Sequence, residues 1–267
     1  FRIFSSIEEQ NNWLSKVADP IYKNYISESN KELNNNSIKF PYDYGKVSSA
    51  GRLDVSKYIL ESRAYFLKNK SIRIENFEFQ SIKRLSNGFN YKDISCNHLV
   101  FCEGQNYVKN PFFNYLPSKP SKGETIVIEC DQFPELLINK GCFVYPLLKN
   151  NFLVGATYKH NDLSHKNTKE AREELISKLL NIGDFKFKII QQKAGVRPTT
   201  YDRRPIVGNH PEINNMHILN GLGSKGVMFA PYFSDQLIAN IYEGEQIDSE
   251  ANVRRYSKKH FQELKNP

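Results

Sequence analysis

The sequence predicts a mixed α and β fold built on a large, mainly antiparallel sheet, and three observations point to it. Strand-like runs Ile126-Val127-Ile128-Glu129, Phe143-Val144-Tyr145-Pro146 and Phe152-Leu153-Val154-Gly155 follow one another, with short turns such as Lys149-Asn150-Asn151 between them. Antiparallel strands are joined that way, in a meander. Three amphipathic helices with caps stand around these runs. Near the end, a strand over 216–220 enters Gly221-Leu222-Gly223-Ser224-Lys225-Gly226, and a helical spacing of apolar residues follows from Val227 to Ile241. With 267 residues, 39% of them hydrophobic, the chain can bury a substantial core as one large or two modest domains.

In chain order, Phe1-Arg2-Ile3-Phe4 reads as a strand. Ser6-Ile7-Glu8-Glu9 fits a capping box that opens a helix running through Trp13 and Leu14 to about Val17, with Pro20 beyond its end. Asn34-Asn35-Asn36 reads as a loop. A second helix starts at Asp54, carries Val55, Tyr58, Ile59 and Phe66 on one side and ends near Asn69. Strands are expected over 71–77, 80–85, 90–93, 98–102, 124–130, 141–147, 152–158 and 184–194. The third helix begins at Asn167 or Thr168, has Ala171, Leu175, Ile176, Leu179 and Leu180 as its stripe, and stops at Gly183. Each helix is expected to lie on a sheet. Short strands over 206–208 and 216–220 flank the turn signal Asn209-His210-Pro211. Pro231 cannot donate to the carbonyl four residues back, so the last helix is expected to become regular near it.

Composition narrows the function classes. A formal charge of +8 and a pI near 9.1 fit a nucleic-acid partner, but the basic residues are spread along the whole chain, as on a solvated basic surface. Cys96, Cys102, Cys130 and Cys142 show no C-x-x-C spacing and read as reduced, mostly buried thiols of a cytoplasmic protein. The six histidines form no H-E-x-x-H pairing, so no metal site is expected. No apolar run is long enough to cross a membrane. Because the chain opens on Phe1, already in a strand pattern, it reads as cut from something longer.

The densest chemistry lies at 194–241. The alternating segment 185–190 places Arg197 at a strand end, and Pro198 stiffens the backbone that carries it. A guanidinium held so can grip a carboxylate through two parallel hydrogen bonds. It can equally pair with Asp202 or another surface acid. Three glycines within six residues, at a helix start, leave backbone N–H groups for a flat, anionic or electron-rich ligand. A purely structural turn has the same pattern.

Taken together, G-V-R-P-T-T-x-D-x-x-P-I-V-G, the strand ending in Asn220, and G-L-G-S-K-G-x-x-x-A-P resemble the C-terminal signature of the D-amino-acid oxidase family of flavoproteins, which includes glycine and sarcosine oxidases. Three shorter segments fall in the same order as in that family. His98-Leu99-Val100-Phe101-Cys102-Glu103-Gly104 resembles its strand ending in Ala-Thr-Gly, Lys122-Gly123-Glu124 its Arg-Gly-Gln, and Val154-Gly155-Ala156-Thr157 its Gly-Gly-Thr.

The resemblance implies FAD as cofactor and a small amine or amino acid as substrate, oxidised by hydride transfer from the carbon beside the amine. It implies that Arg197 binds a substrate carboxylate, with Tyr145 and Tyr201 as further substrate-side residues and Asp202 as a group that orients the guanidinium. It places Gly221, Leu222, Gly223, Ser224, Lys225 and Gly226 against the flavin, Lys225 adding a charge or standing as a solvated lysine. Where relatives often carry arginine after Pro146, this chain has Leu147. Residues 1–49 and 105–195 then correspond to a substrate-type domain, and 50–104 and 196–267 to the remaining, C-terminal parts of a discontinuous FAD-binding domain. The family's G-x-G-x-x-G dinucleotide cradle is missing from these residues, so the isolated piece is expected to be colourless and inactive. Two alternatives remain: an oxidase domain that modifies the carboxymethylaminomethyl group on the wobble uridine of tRNA, with tRNA as partner, and a non-catalytic domain that has lost the cofactor. Oligomeric state is not readable from the sequence.

Overall fold

The computed structural model describes residues 1–29, 33 and 35–257. The first half of the chain holds β1 (Arg2–Ile3), α1 (Ile7–Ala18), β2 (Ile26–Ser27), β3 (Tyr44–Val47), α2 (Val55–Lys68), β4 (Ile82–Leu85), β5 (Gly88–Tyr91), β6 (Ile94–Cys96), β7 (Leu99–Phe101) and β8 (Ser121–Glu129). Then follow β9 (Ile138–Lys140), β10 (Cys142–Pro146), β11 (Asn151–Gly155), α3 (Lys169–Ile182), β12 (Lys188–Arg197), β13 (Ile206–Asn209), β14 (Met216–Asn220) and α4 (Gly226–Glu243). The chain forms two compact units, Phe1–Arg52 with Lys122–Val196, and Leu53–Ser121 with Arg197–Pro267. The stretch 105–121 thus belongs with the second unit, whereas the sequence reading grouped it with the first.

The first unit contains the large sheet, in the order β12-β8-β11-β10-β9-β1-β3-β2. The expected meander is present as β9-β10-β11, but β8 pairs with β11 and not with β10. Strand alternation cannot show which neighbour a strand will choose. One face of this sheet packs on α3 through Leu175, Leu179 and Ile182, which join Ile126, Ile128, Val144 and Val154 in one core. Thr168 caps α3, its Oγ1 accepting from Ala171 N–H at 3.3 Å. Of the expected stripe, Ala171, Leu175 and Leu179 are buried, whereas Leu180 is 46% exposed. Below the cap, Lys122 Nζ donates to Asp162 Oδ2 and the Lys166 carbonyl, both at 2.6 Å, and Glu124 accepts from Thr168 and Gln192. Buried charges survive when paired and hydrogen-bonded in this way, and here they fasten the 157–168 loop to β8.

The second unit contains two small sheets, β13-β14-β7 and β4-β5-β6. Its main core gathers Phe89, Phe101, Phe113, Ile206, Met216 and Ile218, and a smaller one joins Val207 to Phe233 and Leu237 of α4. The strand expected over 71–77 does not form. Its charged residues are drawn instead into side-chain pairs, Arg73 with Asp93 and Glu75 with Lys92, while Phe77 stacks on Tyr91 at 4.4 Å.

Two further expectations are corrected. Helices α1 and α2 have the predicted caps, Ser6 and Asp54, and neither has a buried residue. Helix α1 still touches the large sheet through Trp13, whose ring lies against Gly45 of β3 and whose Nε1 donates to the Ser27 carbonyl of β2 at 3.0 Å, whereas α2 is not laid on a sheet as expected. In α2, Tyr58, Ile59 and Leu60 are 55–66% exposed. Helix α4 begins at Gly226, with Pro231 inside it. Proline there removes one hydrogen bond close to the helix start, which is too small a loss to delay the helix to that point. Residues Asn35 and Asn36 lie outside regular structure, while Asn34 lies outside the described residues. Of the four free cysteines only Cys130 and Cys142 are buried; Cys102 is exposed.

Candidate functional site

In the second unit, β7 and β14 run parallel, with Met216 opposite Leu99, His217 opposite Val100 and Ile218 opposite Phe101. Their carboxyl ends therefore open side by side, β7 into Cys102-Glu103-Gly104 and β14 into the glycine bend. Ligands of open α/β sheets bind outside the carboxyl ends of the strands, where the following helix also presents its positive end. A hollow of about 780 Å³ lies at that place, lined among others by Cys102, Gly104, Pro198, Asn220, Gly223 and Gly226.

The bend is shaped by the fold itself at two positions. Gly221 and Gly223 have φ of 70° and 56°. A Cβ added to them would approach Thr200 Cγ2 to 3.0 Å and Thr199 Cγ2 to 2.9 Å. Gly226 has no such reason to be glycine. Its φ is helical at −52°, and the nearest atom to an added Cβ is Leu222 Cβ at 3.9 Å. Its missing side chain leaves the wall of the hollow low.

The expectation of open amides is half corrected. Gly221 N–H donates to Asn220 Oδ1 at 2.8 Å, Gly223 N–H to the Pro198 carbonyl at 3.2 Å, and Lys225 N–H to the Leu222 carbonyl at 3.1 Å. A tight turn meets its own hydrogen-bond needs first. The Leu222 amide has no partner among the described residues. Ser224 and Lys225 are exposed, and the Lys225 ammonium sits 5.4 Å from the Phe229 ring centre.

The remaining predicted residues are scattered. Arg197 closes β12 in a half-buried position; its neighbour Pro198 lines the hollow, but Arg197 itself is not among the lining groups. Tyr201 is 67% exposed, with Lys119 over its ring at 5.4 Å. Asp202 does not serve Arg197. Its Oδ2 takes Tyr256 Oη–H at 2.6 Å and Arg255 Nε–H at 3.2 Å, and its Oδ1 takes the Arg204 amide. Burial opposes the charge, but these hydrogen bonds and the Arg255 cation hold the Asp202 carboxyl below the usual range. Tyr145 lies in the first unit, stacked on Phe143 at 5.4 Å and with the Arg52 guanidinium 5.2 Å from its ring centre.

Sequence reasoning passed over Arg52, Cys102 and Asn220. Arg52 Nη1 also donates to the Pro146 carbonyl at 3.4 Å, beside the place where an arginine is absent at Leu147. Asn220 was read only as a strand end, yet it is 2% exposed and its Nδ2 is buried without a hydrogen-bond partner. A polar residue closing an apolar strand before glycine was the one available signal. A larger hollow of about 890 Å³ lies in the first unit beside α1, where three of the polar lining groups are bonded to one another, Arg2 holding Glu9 and Asn139. Among the described residues no cluster of metal-binding side chains occurs, and no helix is long and apolar enough to cross a membrane.

The family description FAD dependent oxidoreductase matches residues 23–240. Glycine oxidase of Bacillus licheniformis is 30% identical over 138 residues, which is 49% of this chain and 37% of that protein. The tRNA 5-methylaminomethyl-2-thiouridine biosynthesis bifunctional protein MnmC of Marinobacter nauticus is 26% identical over 137 residues, 46% of this chain and 22% of that protein. The chain thus spans well under half the length of these curated relatives. Among solved structures, dithionite-reduced L-alpha-glycerophosphate oxidase from Mycoplasma pneumoniae with FAD bound superposes with a TM-score of 0.70 at 18% identity, covering 90% of this chain and 71% of that one.

Proposed function

Because the chain belongs to the family of FAD-dependent oxidoreductases, we propose that it forms part of an enzyme that oxidises an amine or amino acid at the carbon beside the nitrogen. The observation that carries this reading is the hollow where β7 and β14 end and α4 begins. Its residues fit a flavin: Gly226 leaves room that nothing in the chain uses, and a buried amide donor stands without a partner. FAD held there supplies the acceptor for a hydride from the substrate, and water hydrolyses the imine that results. The second unit is then the flavin-binding part, and the first unit the substrate-type part.

The chain's own contribution is electrostatic and positional. The Leu222 amide and the start of α4 direct partial positive charge at the hollow, which favours a ligand edge that becomes negative. Lys225 adds a full charge nearby. Arg197, on the stiff segment before Pro198, grips the substrate carboxylate and fixes which bond faces the acceptor.

Similarity to MnmC and the charge of +8 favour one second reading, a substrate amine carried on tRNA. Salt-sensitive tRNA binding supports it, and no binding at low salt removes it.

Arg197→Met, made in the protein expressed from its complete reading frame, tests the anchor. With an amino-acid substrate, KM is expected to rise about 10- to 100-fold, the scale of a lost charge-assisted pair. An unchanged KM removes Arg197 from the site.

A further inference from the structure

Asn220 ends β14 with its side-chain oxygen already committed, because Oδ1 accepts from Gly221 N–H at 2.8 Å. That bond fixes the orientation of the amide: turned over, two donors would face each other. Nδ2 therefore points away from the Gly221 backbone, is buried, and has no hydrogen-bond partner. Native interiors rarely leave an amide donor unmet, since the cost of desolvation is then not recovered. Capping Gly221 needs only the oxygen, so the fold makes no use of the nitrogen. Asn220 lines the hollow at the carboxyl ends of β7 and β14, next to the first turn of the 18-residue helix α4.

Resting on the flavin reading above, we infer that Asn220 is a cofactor-binding residue whose Nδ2 donates to an oxygen or nitrogen acceptor on the edge of the flavin ring. A donor at that edge stabilises electron density there, so it strengthens binding and raises the reduction potential of the bound ring.

The test uses Asn220→Asp and Asn220→Ala in the protein from its complete reading frame, titrated with FAD and with lumiflavin, which has the ring but no ribityl chain or phosphates. Asn220→Asp keeps an oxygen for Gly221 N–H and replaces only the donor; Asn220→Ala serves if the aspartate does not fold. Both variants are expected to weaken both ligands about tenfold and to lower the potential of bound FAD. If wild type binds both flavins and the variants bind them equally well, the donor is met by a buried water and the inference falls while the flavin reading stands. Loss confined to FAD, with lumiflavin unaffected, also overturns it, because the contact is then not to the ring. A wild type that binds neither flavin removes the flavin reading, and this inference with it.

Discussion

His217 is a buried histidine engaged at both ring nitrogens. Its Nδ1 lies 2.6 Å from Asn209 Oδ1 and its Nε2 lies 3.1 Å from His98 Nδ1. A carbonyl oxygen only accepts, so His217 donates from Nδ1 and receives from His98 at Nε2. Burial, with the His98 ring beside it, pushes His217 down to about 4. The ordinary value is higher, so the unfolded chain takes up the proton first, and stability is complete above about pH 6.5 and is lost as pH falls toward 4. The loss from this one residue reaches about 3 kcal/mol. Urea unfolding at pH 7 and pH 4.5 should show His217→Gln losing less stability than wild type across that interval; equal losses would mean that the ring is already charged in the fold. Backbone placement was legible in sequence where patterning is local, as at Arg197, which closes β12 just before Pro198. The significance of His217 and Asn220 was not, since it comes from partners 119 residues away or from a partner that is missing.

At the scale of elements, α3 and α4 show what patterning reveals and what it hides. Thr168, the stripe through Leu175 and Leu179, and Gly183 mark α3 from end to end, because capping and burial are both local in sequence. The start of α4 was hidden because Pro231 outweighed the bend in the reading, whereas the folded chain absorbs the proline within the helix. Amphipathic patterning likewise indicated a covered face on α2, yet a stripe shows only that a face is apolar and not that anything lies on it. Gly226 makes the difference between structural and ligand-driven glycine testable. Gly226→Ala meets no steric obstacle and adds helix propensity, so thermal stability without ligand should be unchanged or raised by up to about 1 kcal/mol. FAD affinity should nevertheless fall several-fold, because the methyl group enters the hollow. A variant that binds FAD as wild type does would make Gly226 a chance occupant of its position.

Across the whole molecule, the chain passes between its two units three times, at 52–53, 121–122 and 196–197. Mixed α and β character and the antiparallel sheet were legible because meanders and capped helices are short-range patterns. The pairing of β8 with β11, and of β7 with β14 more than a hundred residues apart, was not, since nothing local encodes a distant neighbour. Yet that second pairing brings Cys102 and Gly104 to the glycine bend and creates the site. The central claim, that FAD occupies the carboxyl ends of β7 and β14, is tested most directly by hydrogen exchange on the protein from its complete reading frame, with and without FAD. The account predicts slower exchange on FAD addition in peptides covering 102–104 and 220–227. FAD binding that leaves both of those peptides unchanged would contradict it.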